Sequence, residues 1–486
     1  MDSMDSTALL IDFGSTFTKV TAVDIERARV LGRSQAPSTV LTDVREGLMQ
    51  ALRALHDRCR VLGPQPGDLT ALGGKFVRAS SSAAGGLRMV VIGLVPGLTV
   101  EAANLAALGA GAKVVGSLSF KLAESAVAEI ESLRPDMILL TGGTNGGDAA
   151  TILHNARLLA GSRLAVPVVV AGNRAVTAEV CETLRNGGKE VRSAENVMPE
   201  AGKLAVESAR EEIRRLFMER ITHAKGLDEI GEMVPVVLPT PMAVLEGLEL
   251  VARGADGVDG WGEMLLVDVG GATTDVHSIG YGKPTGTNTM VQGLPEPFAK
   301  RTVEGDLGIR YNAATLRDRV GLEKLVGELN ATFPQFAVSR DALARYIDAI
   351  SQETARVPHE NWHYAADAIL ARVAVDVAVE RHVGKRERVY LREGEEWLHY
   401  GKDMTETPTL IGTGGVFIYN PYAGQILSPG VRDNGRYQIL RPKNPRTFID
   451  ASYLLYAVGL LSRSHPAVAA KIFQEHMKPV TVQATR

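Results

Sequence analysis

The chain has 486 residues, of which 45% are hydrophobic and 22% charged, and its formal net charge is −3. This length predicts two to four domains, and the small net charge argues against nucleic acid and anionic membranes as partners. No apolar run reaches the ~20 residues of a membrane helix, and the acidic N-terminus lacks the basic region of a signal peptide. The two distant cysteines, Cys59 and Cys181, are typical of a reducing compartment. We therefore expect a cytoplasmic protein.

The first 87 residues begin with strands. Hydrophobic patterning predicts strands at 8–13, 19–24 and 29–34, an amphipathic helix at about 42–58, a strand at 69–73 and a stretch of small residues at 79–86. We assign residues 1–87 to the first part of an N-terminal lobe.

Residues 88–195 alternate strictly between strands and helices. Strands are predicted at 88–94, 113–116, 136–141, 166–171 and 189–194, with helices between them at about 99–109, 122–133, 149–160 and 175–186. Five strands with four intervening helices are typical of a doubly wound, flavodoxin-like sheet. We therefore predict an inserted domain at 88–195.

The remaining residues complete two lobes. The patterns predict a helix at 199–224, a strand at 234–238, a helix beginning at 240–248, a linker with a tight turn at 254–262, a helical region at 313–384, a strand with a glycine turn at 409–417 and a helix at 447–463. The first lobe then resumes at 196–260. The second lobe occupies 261–486, with its first strand at Met264.

Two Asp-Gly turns stand at the same relative spacing, one in each half of the chain. The first, L-L-I-D-F-G-S-T-F-T-K, contains Asp12, Gly14, Ser15, Thr16, Thr18 and Lys19. The second, L-L-V-D-V-G-G-A-T-T-D, contains Asp268, Gly270, Gly271, Thr273, Thr274 and Asp275. Each follows a buried strand and offers one carboxylate, backbone N–H groups and small hydroxyls. Two such turns facing each other predict a clamp for a metal-bound polyphosphate.

A third glycine turn, T-L-I-G-T-G-G-V-F, contains Gly412, Gly414 and Gly415 and would let backbone approach an adenine and its ribose closely. The order of the three motifs resembles the actin, sugar-kinase and seventy-kilodalton heat-shock ATPase superfamily. Residues 12–19 and 268–275 resemble its phosphate motifs, 410–416 its adenosine motif, and 239–248 the connecting helix of the heat-shock ATPases. The resemblance implies a two-lobed α/β ATPase fold.

By this resemblance, ATP and Mg²⁺ are the expected ligands. Asp12 and Asp268 would hold Mg²⁺ through water and, with Lys19, form the catalytic set. The hydroxyls of the two turns and the amides of their glycines would bind phosphate, because phosphoryl transfer needs mainly positioning and charge stabilisation. The heat-shock proteins carry a water-orienting Glu where this chain has Thr240. Nucleotide binding is therefore expected, and hydrolysis is left open.

Nearly the whole chain resembles the glutamate mutase accessory family, called MutL or GlmL. The matching strings include I-D-F-G-S-T-F-T-K, P-D-M-I-L-L-T-G-G-T-N-G-G-D, V-E-G-D-L-G and R-H-V-G. Proteins of this family accompany adenosylcobalamin-dependent mutases and are regarded as reactivating ATPases. The resemblance implies a chaperone whose partner is a mutase, and it leaves the particular mutase and the oligomeric state open.

The inserted unit resembles the cobalamin-binding domain of the mutases themselves. Its first turn, G-L-V-P-G (93–97), lacks the D-x-H-x-x-G that supplies a cobalt ligand, so we expect no cobalt ligation. The unit either mimics the mutase domain and competes for the catalytic subunit, or is a lobe extension without mimicry.

The segment T-G-G-T-N-G-G-D (141–148) follows a predicted strand of this unit. It is either a ligand loop or a turn in which Asp148 caps a helix.

Other activities stay open at this level. A small-molecule kinase of the same superfamily would need a general-base Asp, and a non-hydrolysing adaptor would only sense nucleotide. H-E-N-W-H, from His359 to His363, matches the zinc-protease pattern, with Glu380 or His382 as a third ligand. Because Pro358 precedes it, residues on a helix surface are the simpler interpretation.

Overall fold

The computed structural model describes residues 6–14, 16–39, 42–60, 72, 75–82, 87–221, 230–284, 289–391, 394–431 and 438–482. The chain divides into two compact units. Unit 1 contains Met1–Leu248, Gly293–Pro295 and Leu455–Ile472, and unit 2 contains Glu249–Gln292, Glu296–Leu454 and Phe473–Arg486. The predicted boundaries of the lobes and of the inserted domain stay a prediction. Within the described ranges, each helix is too short or too polar to cross a membrane.

The first sheet of unit 1 has five strands. They are β1 (Thr7–Phe13), β2 (Phe17–Asp24), β3 (Arg29–Pro37), β4 (Phe76–Ser81) and β10 (Val236–Pro239), in the order β10-β4-β1-β2-β3. β1, β2 and β3 pair antiparallel, whereas β4 and β10 run parallel to β1. Helix α1 (Val44–Cys59) covers one face, because Leu9 and Ile11 share a core with Leu48 and Leu52.

The parallel neighbour of β1 differs from the prediction. The structure places this strand at Phe76–Ser81, where the sequence indicated only small residues from 79 onward. The strand predicted at 69–73 lies outside the described residues, apart from Leu72. Alanine and serine have weak intrinsic strand preference, and it is pairing with β1 that makes the segment extended, with Ser80 beside Asp12.

The second sheet of unit 1 is parallel. Its strands are β5 (Arg88–Gly93), β6 (Lys113–Ser119), β7 (Met137–Leu140), β8 (Val168–Val170) and β9 (Val191–Ser193), connected through α2 (Glu101–Gly109), α3 (Glu124–Ser132), α4 (Ala150–Ala160) and α5 (Thr177–Asn186). The spatial order β6-β5-β7-β8-β9 is the doubly wound order 2-1-3-4-5.

Both faces of this parallel sheet are covered, which explains its continuous apolar strands. Val90 and Ile138 pack in one core, whereas Met89 and Leu139 belong to the core of the first sheet. The parallel sheet is therefore packed into unit 1.

The helix predicted at 199–224 begins later than expected. Its described part, α6, is Glu207–Ile221, and residues 222–224 lie outside the described residues. Gly202 precedes this helix and has a φ of +77°. A right-handed helix requires negative φ, so the helix cannot extend back through Gly202. Helix α7 (Thr240–Arg253) then follows β10 directly.

The main sheet of unit 2 repeats the first topology. Two short strands, β11 (Gly254–Ala255) and β12 (Val258–Asp259), precede β13 (Met264–Val269), β14 (Thr274–Ile279), β16 (Ala299–Glu304), β19 (Thr409–Thr413), β20 (Arg446–Asp450) and β21 (Met477–Pro479). The order is β16-β14-β13-β19-β20-β21. β13, β14 and β16 pair antiparallel, and β19 and β20 run parallel to β13. A separate three-stranded sheet contains β15 (Thr289–Gln292), β17 (Lys385–Leu391) and β18 (Gly394–Tyr400).

Helices fill the region between β16 and β17, as predicted. They are α8 (Ala313–Val320), α9 (Leu322–Thr332), α10 (Arg340–Gln352) and α11 (Asn361–His382), and the later helices are α12 (Gly415–Tyr419), α13 (Ala423–Leu427), α14 (Leu455–Ser462) and α15 (Pro466–His476). The helix predicted at 447–463 is wrong in its first part, because Arg446–Asp450 is the strand that pairs with β19.

The two main sheets establish the fold class. In each, an antiparallel three-strand meander is extended by two parallel strands on the side of its first strand. This duplicated α/β sheet is that of the actin-like ATPases, as the sequence predicted.

Candidate functional site

The turn between β1 and β2 is held by two sets of hydrogen bonds. Gly14 N donates to Phe17 O at 3.1 Å, and the carbonyl oxygens of Gly14 and Thr16 accept from the hydroxyl and the N–H of Ser38 at 2.7 and 2.9 Å. A Cβ on Gly14 would lie 2.7 Å from Phe17 O, so the turn requires glycine here. Ser15 lies outside the described residues.

Asp12 lies at the end of β1 and is buried, with 1% of its surface exposed. Its Oδ2 accepts from Lys19 Nζ at 3.0 Å, and its Oδ1 accepts from the hydroxyls of Thr240 at 2.6 Å and Ser80 at 3.2 Å. One ammonium and two hydroxyl donors offset the cost of burying this charge. The structure thus brings together the predicted pair Asp12 and Lys19, with two further hydroxyls.

Thr240 has a defined place in this arrangement. It is the first residue of α7, and Pro241 follows it, where proline suits a first helical turn. Its hydroxyl is engaged with Asp12. At the position where the heat-shock ATPases carry a carboxylate, this chain therefore has a group that orients Asp12.

Thr18 lies on the opposite face of the first sheet from Asp12. Alternation along β2 places it with Val20 on the α1 side, where a Cβ built on Gly47 would be 3.2 Å from its hydroxyl. That hydroxyl is buried and has no partner among the described residues. The structure does not bring Thr18 together with Asp12.

The turn between β13 and β14 has the same internal hydrogen bond, from Gly270 N to Thr273 O at 2.9 Å. The segment at 309–312 binds its carbonyl oxygens. Gly270 O accepts from the N–H of residue 309 at 3.2 Å, Gly271 O from the N–H groups of residues 310 and 311 at 2.9 Å each, and Ala272 O from the side-chain amide of Asn312 at 2.7 Å.

This attachment decides where the N–H groups of the turn point. In a trans peptide the C=O of one residue and the N–H of the next lie on opposite sides. Because three successive carbonyls face residues 309–312, the N–H groups of Gly271, Ala272 and Thr273 point away from that segment. Successive N–H groups directed to one side form an anion-binding concavity.

Asp268 is the second-last residue of β13 and the cross-strand partner of Asp275. Asp275 accepts from the Thr273 hydroxyl at 3.1 Å and from the guanidinium of Arg301 at 2.6 and 2.9 Å. Arg301 offsets one of the two negative charges. Thr274 lies on the other face and donates to Leu307 O, so it is not brought to Asp268.

The three glycines of the third motif have different surroundings. Thr413 pairs with Asp268, which brings Gly414 to the end of β13. A Cβ on Gly414 would lie 2.4 Å from Val269 O and 3.0 Å from an oxygen of Asp268, and its φ is +107°. Gly412 is buried and leaves room for the ring of Phe417, whereas Gly415 is exposed and faces open space.

The H-E-N-W-H motif lies at the start of α11. Ligand atoms of His359, Glu360 and His363 come within 4.8 Å of one another, but the helix begins at Asn361, so His359 precedes it and the zinc-protease arrangement of two histidines on one helical face is absent. Glu360 and His363 form a capping box instead.

The two residues predicted as third metal ligands lie at the other end of the same helix. Glu380 and His382 are about 30 Å from the H-E-N-W-H motif along the helix, at about 1.5 Å per residue. His382 contacts Ser278 and Thr302, and Glu380 contacts Arg441. The prediction of a third ligand is therefore wrong.

Several residues of the candidate site carried no clear signal in the sequence. Ser80 lies in a run of serines without a motif, and its role depends on the register of β4. The segment 309–312 is 38 residues after Gly271, and only packing shows that it binds this turn.

Comparison with known proteins identifies the family. The MutL protein family matches residues 8–477. Protein MutL of Clostridium tetanomorphum is 42% identical over 473 residues, which cover 97% of this chain and 99% of that protein. The chain belongs to the MutL protein family.

Solved structures are more distant. Gluconate kinase from Lactobacillus acidophilus is 10% identical, with a TM-score of 0.33, 99% of this chain covered and 94% of the kinase. Xylulose kinase from Bifidobacterium adolescentis is 11% identical, with a TM-score of 0.28, 99% of this chain covered and 96% of the kinase. The fold assignment rests on sheet topology, since both TM-scores lie below 0.5.

Proposed function

We propose that this MutL family protein binds Mg²⁺–ATP through its two Asp-Gly turns. The observation that carries the proposal is the attachment of the β13–β14 turn to residues 309–312, which directs three N–H groups of Gly271, Ala272 and Thr273 to one side. Such a donor set fits phosphate oxygens. Mg²⁺ prefers oxygen ligands and usually keeps several of its waters, and Asp12 and Asp268 would hold it through those waters.

Each side chain has a part in this proposal. Lys19, now paired with Asp12 at 3.0 Å, supplies the positive charge for the phosphates. The amides of both turns and the hydroxyl of Thr16 orient the phosphate oxygens. Mg²⁺, when bound, neutralises charge that develops during phosphoryl transfer, and the protein groups hold the phosphates in position.

We further propose that nucleotide binding and hydrolysis drive reactivation of an adenosylcobalamin-dependent mutase. Membership of the MutL family and the resemblance to mutase accessory proteins support this role. A nucleotide that binds two conformations with different affinity can shift the population between them. The proposal includes the identity of the partner as such a mutase, and competition for its catalytic subunit by the inserted unit predicted at 88–195.

A second candidate is a nucleotide-sensing adaptor that does not hydrolyse ATP. Its support is Thr240, whose hydroxyl donates to Asp12 and offers no carboxylate to orient water. In this case the two turns would report nucleotide without turnover.

Phosphate release from ATP, measured with and without an inactivated adenosylcobalamin mutase, tests these functions. Release stimulated by the mutase is expected for a reactivating ATPase. Nucleotide-dependent mutase binding without release would favour the adaptor, and transfer of phosphate to a metabolite would favour a kinase. Absence of any ATP binding would refute the proposal as a whole.

A further inference from the structure

We propose that Arg310 is a positioning residue for the β13–β14 turn, and that Asp367 and Tyr346 hold it in place. The inference rests on the proposed phosphate-binding role of this turn. It extends the candidate site to helices α10 and α11, which contain no residue of the three nucleotide motifs.

Arg310 contacts the turn through its backbone and the base of its side chain. Its N–H donates to Gly271 O at 2.9 Å, and its Cβ and Cγ lie 3.5 and 3.6 Å from the position that a Cβ on Gly271 would take. The orientation of the Gly271 carbonyl, and with it the N–H of Ala272, therefore depends on where Arg310 is held.

The guanidinium of Arg310 is fixed by a buried carboxylate. Its two terminal nitrogens donate to the two oxygens of Asp367 at 3.2 and 2.6 Å, which is the bidentate geometry that restricts arginine most strongly. Asp367 lies on α11, and its side chain is 3% exposed. Because Arg310 contacts the turn at one end and Asp367 at the other, a displacement of the turn would pull the guanidinium away from Asp367 on α11.

Tyr346 on α10 completes the network. Its hydroxyl donates to Asp367 Oδ1 at 2.9 Å, and its ring stacks on His363 at 4.4 Å. Burial, followed by the nearby charge of Asp367, raises the pKa of Tyr346, so the hydroxyl stays protonated and remains a donor. Asp367 is thus oriented from two directions, by Arg310 and by Tyr346.

Stability alone is a weak reason for such a network. Apolar residues of similar volume usually stabilise a core as well as a buried ion pair does, because both charges must be desolvated. A bidentate pair with a third oriented partner instead fixes one geometry. These contacts indicate that the fixed geometry serves to position the β13–β14 turn.

The test compares Tyr346→Phe with Tyr456→Phe in the full-length protein. The first variant removes only the hydroxyl that orients Asp367. The second removes a buried hydroxyl of unit 1, which lies 2.9 Å from Thr21 Oγ1, and so controls for the loss of any buried hydroxyl. We expect Tyr346→Phe to raise hydrogen exchange of the peptide covering 264–276 about tenfold without nucleotide, and Tyr456→Phe to leave it unchanged.

Ligand binding provides the second measurement. We expect Tyr346→Phe to raise the Kd for Mg²⁺–ATP about threefold to tenfold, as the loss of a hydrogen bond to a charged group predicts. The Kd for AMP should change less, because the proposed role places at this turn the outer phosphates, which AMP lacks. Arg310→Lys, which loses the bidentate pair, should have the larger effect on ATP.

The outcomes separate this inference from the proposed function. Unchanged exchange at 264–276 in Tyr346→Phe and in Asp367→Asn would overturn the positioning role. Faster exchange throughout unit 2, or equal losses for ATP and AMP, would indicate general loosening and would overturn it as well. If the wild-type protein binds no ATP, the proposed function fails, while the exchange measurement still decides whether the network positions the turn.

Discussion

Asp12 illustrates how a single buried charge organises the first turn. The carboxylate is 1% exposed, and its partners come from three different strands or helices: Lys19 from β2, Ser80 from β4 and Thr240 from α7. A substitution that removes the charge of Asp12 but keeps the size of its side chain can therefore distinguish a role in metal binding from a role in holding the turn.

We expect Asp12→Asn to raise the Kd for ATP at least about tenfold in the presence of Mg²⁺, because a neutral amide accepts hydrogen bonds from Mg²⁺-bound water more weakly than a carboxylate and offsets none of the ion's charge. In EDTA the variant and the wild type should bind ATP similarly. Calorimetric titration with and without Mg²⁺ checks this. Asp24→Asn is the control, since Asp24 is a buried carboxylate of the same sheet that is held by Arg27. An unchanged Mg²⁺ effect in Asp12→Asn would exclude Asp12 from the metal site.

Gly414 and Gly415 form a natural matched pair. A side chain at Gly414 would meet Val269 O at 2.4 Å and would force a residue other than glycine to φ +107°, whereas Gly415 faces open space. We expect Gly414→Ala to lower the free energy of unfolding by about 1–3 kcal/mol and Gly415→Ala to change it by less than about 0.5 kcal/mol. Urea denaturation of both variants measures the difference. Equal stability would contradict the close approach of Gly414 to β13.

At the scale of elements, the parallel sheet of unit 1 has an exposed aromatic residue at the carboxyl ends of its strands. Phe120 follows β6, is 56% exposed and has φ +64°. Asn155 is fully buried and holds this segment by donating to Phe120 O and accepting from Leu122 N, both at 2.9 Å. Non-glycine residues at positive φ often mark functional positions, and doubly wound sheets bind ligands at this edge.

The proposed competition for a mutase can be tested at this position. Deleting 88–195 would remove Met89 and Leu139 from the core that they share with Leu9 and Ile11 of the first sheet, so a surface substitution is the better test. Asn tolerates a positive φ, and we expect Phe120→Asn to retain the fold and to weaken mutase binding at least about threefold in a pull-down titration. Tyr390→Asn, which removes a 72% exposed aromatic residue of unit 2, is the control. Equal retention of the mutase by both variants would argue against mimicry through this edge.

At the scale of the whole molecule, the two main sheets repeat one topology and differ at equivalent positions. Lys19 follows Asp12 by seven residues in unit 1, and Asp275 follows Asp268 by seven residues in unit 2. The first turn therefore carries a carboxylate with its own cation. The second carries two carboxylates, one of which is paired with Arg301.

The buried histidines of unit 2 predict acid sensitivity of the whole chain. Burial lowers the pKa of His277 to about 3, and Arg301 contributes in the same direction. Burial also lowers the pKa of His382 well below its usual value. The unfolded chain then binds more protons than the folded chain below pH 6.5, so stability is lost as pH falls from 6.5 toward 3.

A variant isolates the contribution of His277. The wild type should lose about 2 kcal/mol more free energy of unfolding than His277→Leu between pH 7 and pH 5. Urea midpoints at both pH values measure this difference. Equal losses of unfolding free energy in the wild type and in His277→Leu would show that burial does not lower the pKa of His277.

Local patterns predicted the elements wherever burial and periodicity agreed. The strands around Leu9 and Leu265 and the strand–helix alternation from residue 88 are continuous apolar runs with glycine turns, and both are present. Two strands were missed for different reasons. Phe76–Ser81 ends in alanine and serine, which do not favour strands, and pairing with β1 makes it extended. Arg446–Asp450 contains the strand-favouring residues Thr447, Phe448 and Ile449, but this apolar run is too short for periodicity to distinguish strand from helix, and pairing with β19 decides it.

The sequence by itself determined the family, the fold class and the two carboxylate turns, because these depend on short runs in which neighbouring residues act together. Tertiary structure alone decided which groups contact those turns. Ser80 and Thr240 reach Asp12 from positions 68 and 228 residues away. The segment at 309–312 and the pair Arg310–Asp367 orient the second turn through packing. Such contacts depend on strand register and helix placement, which no local pattern encodes.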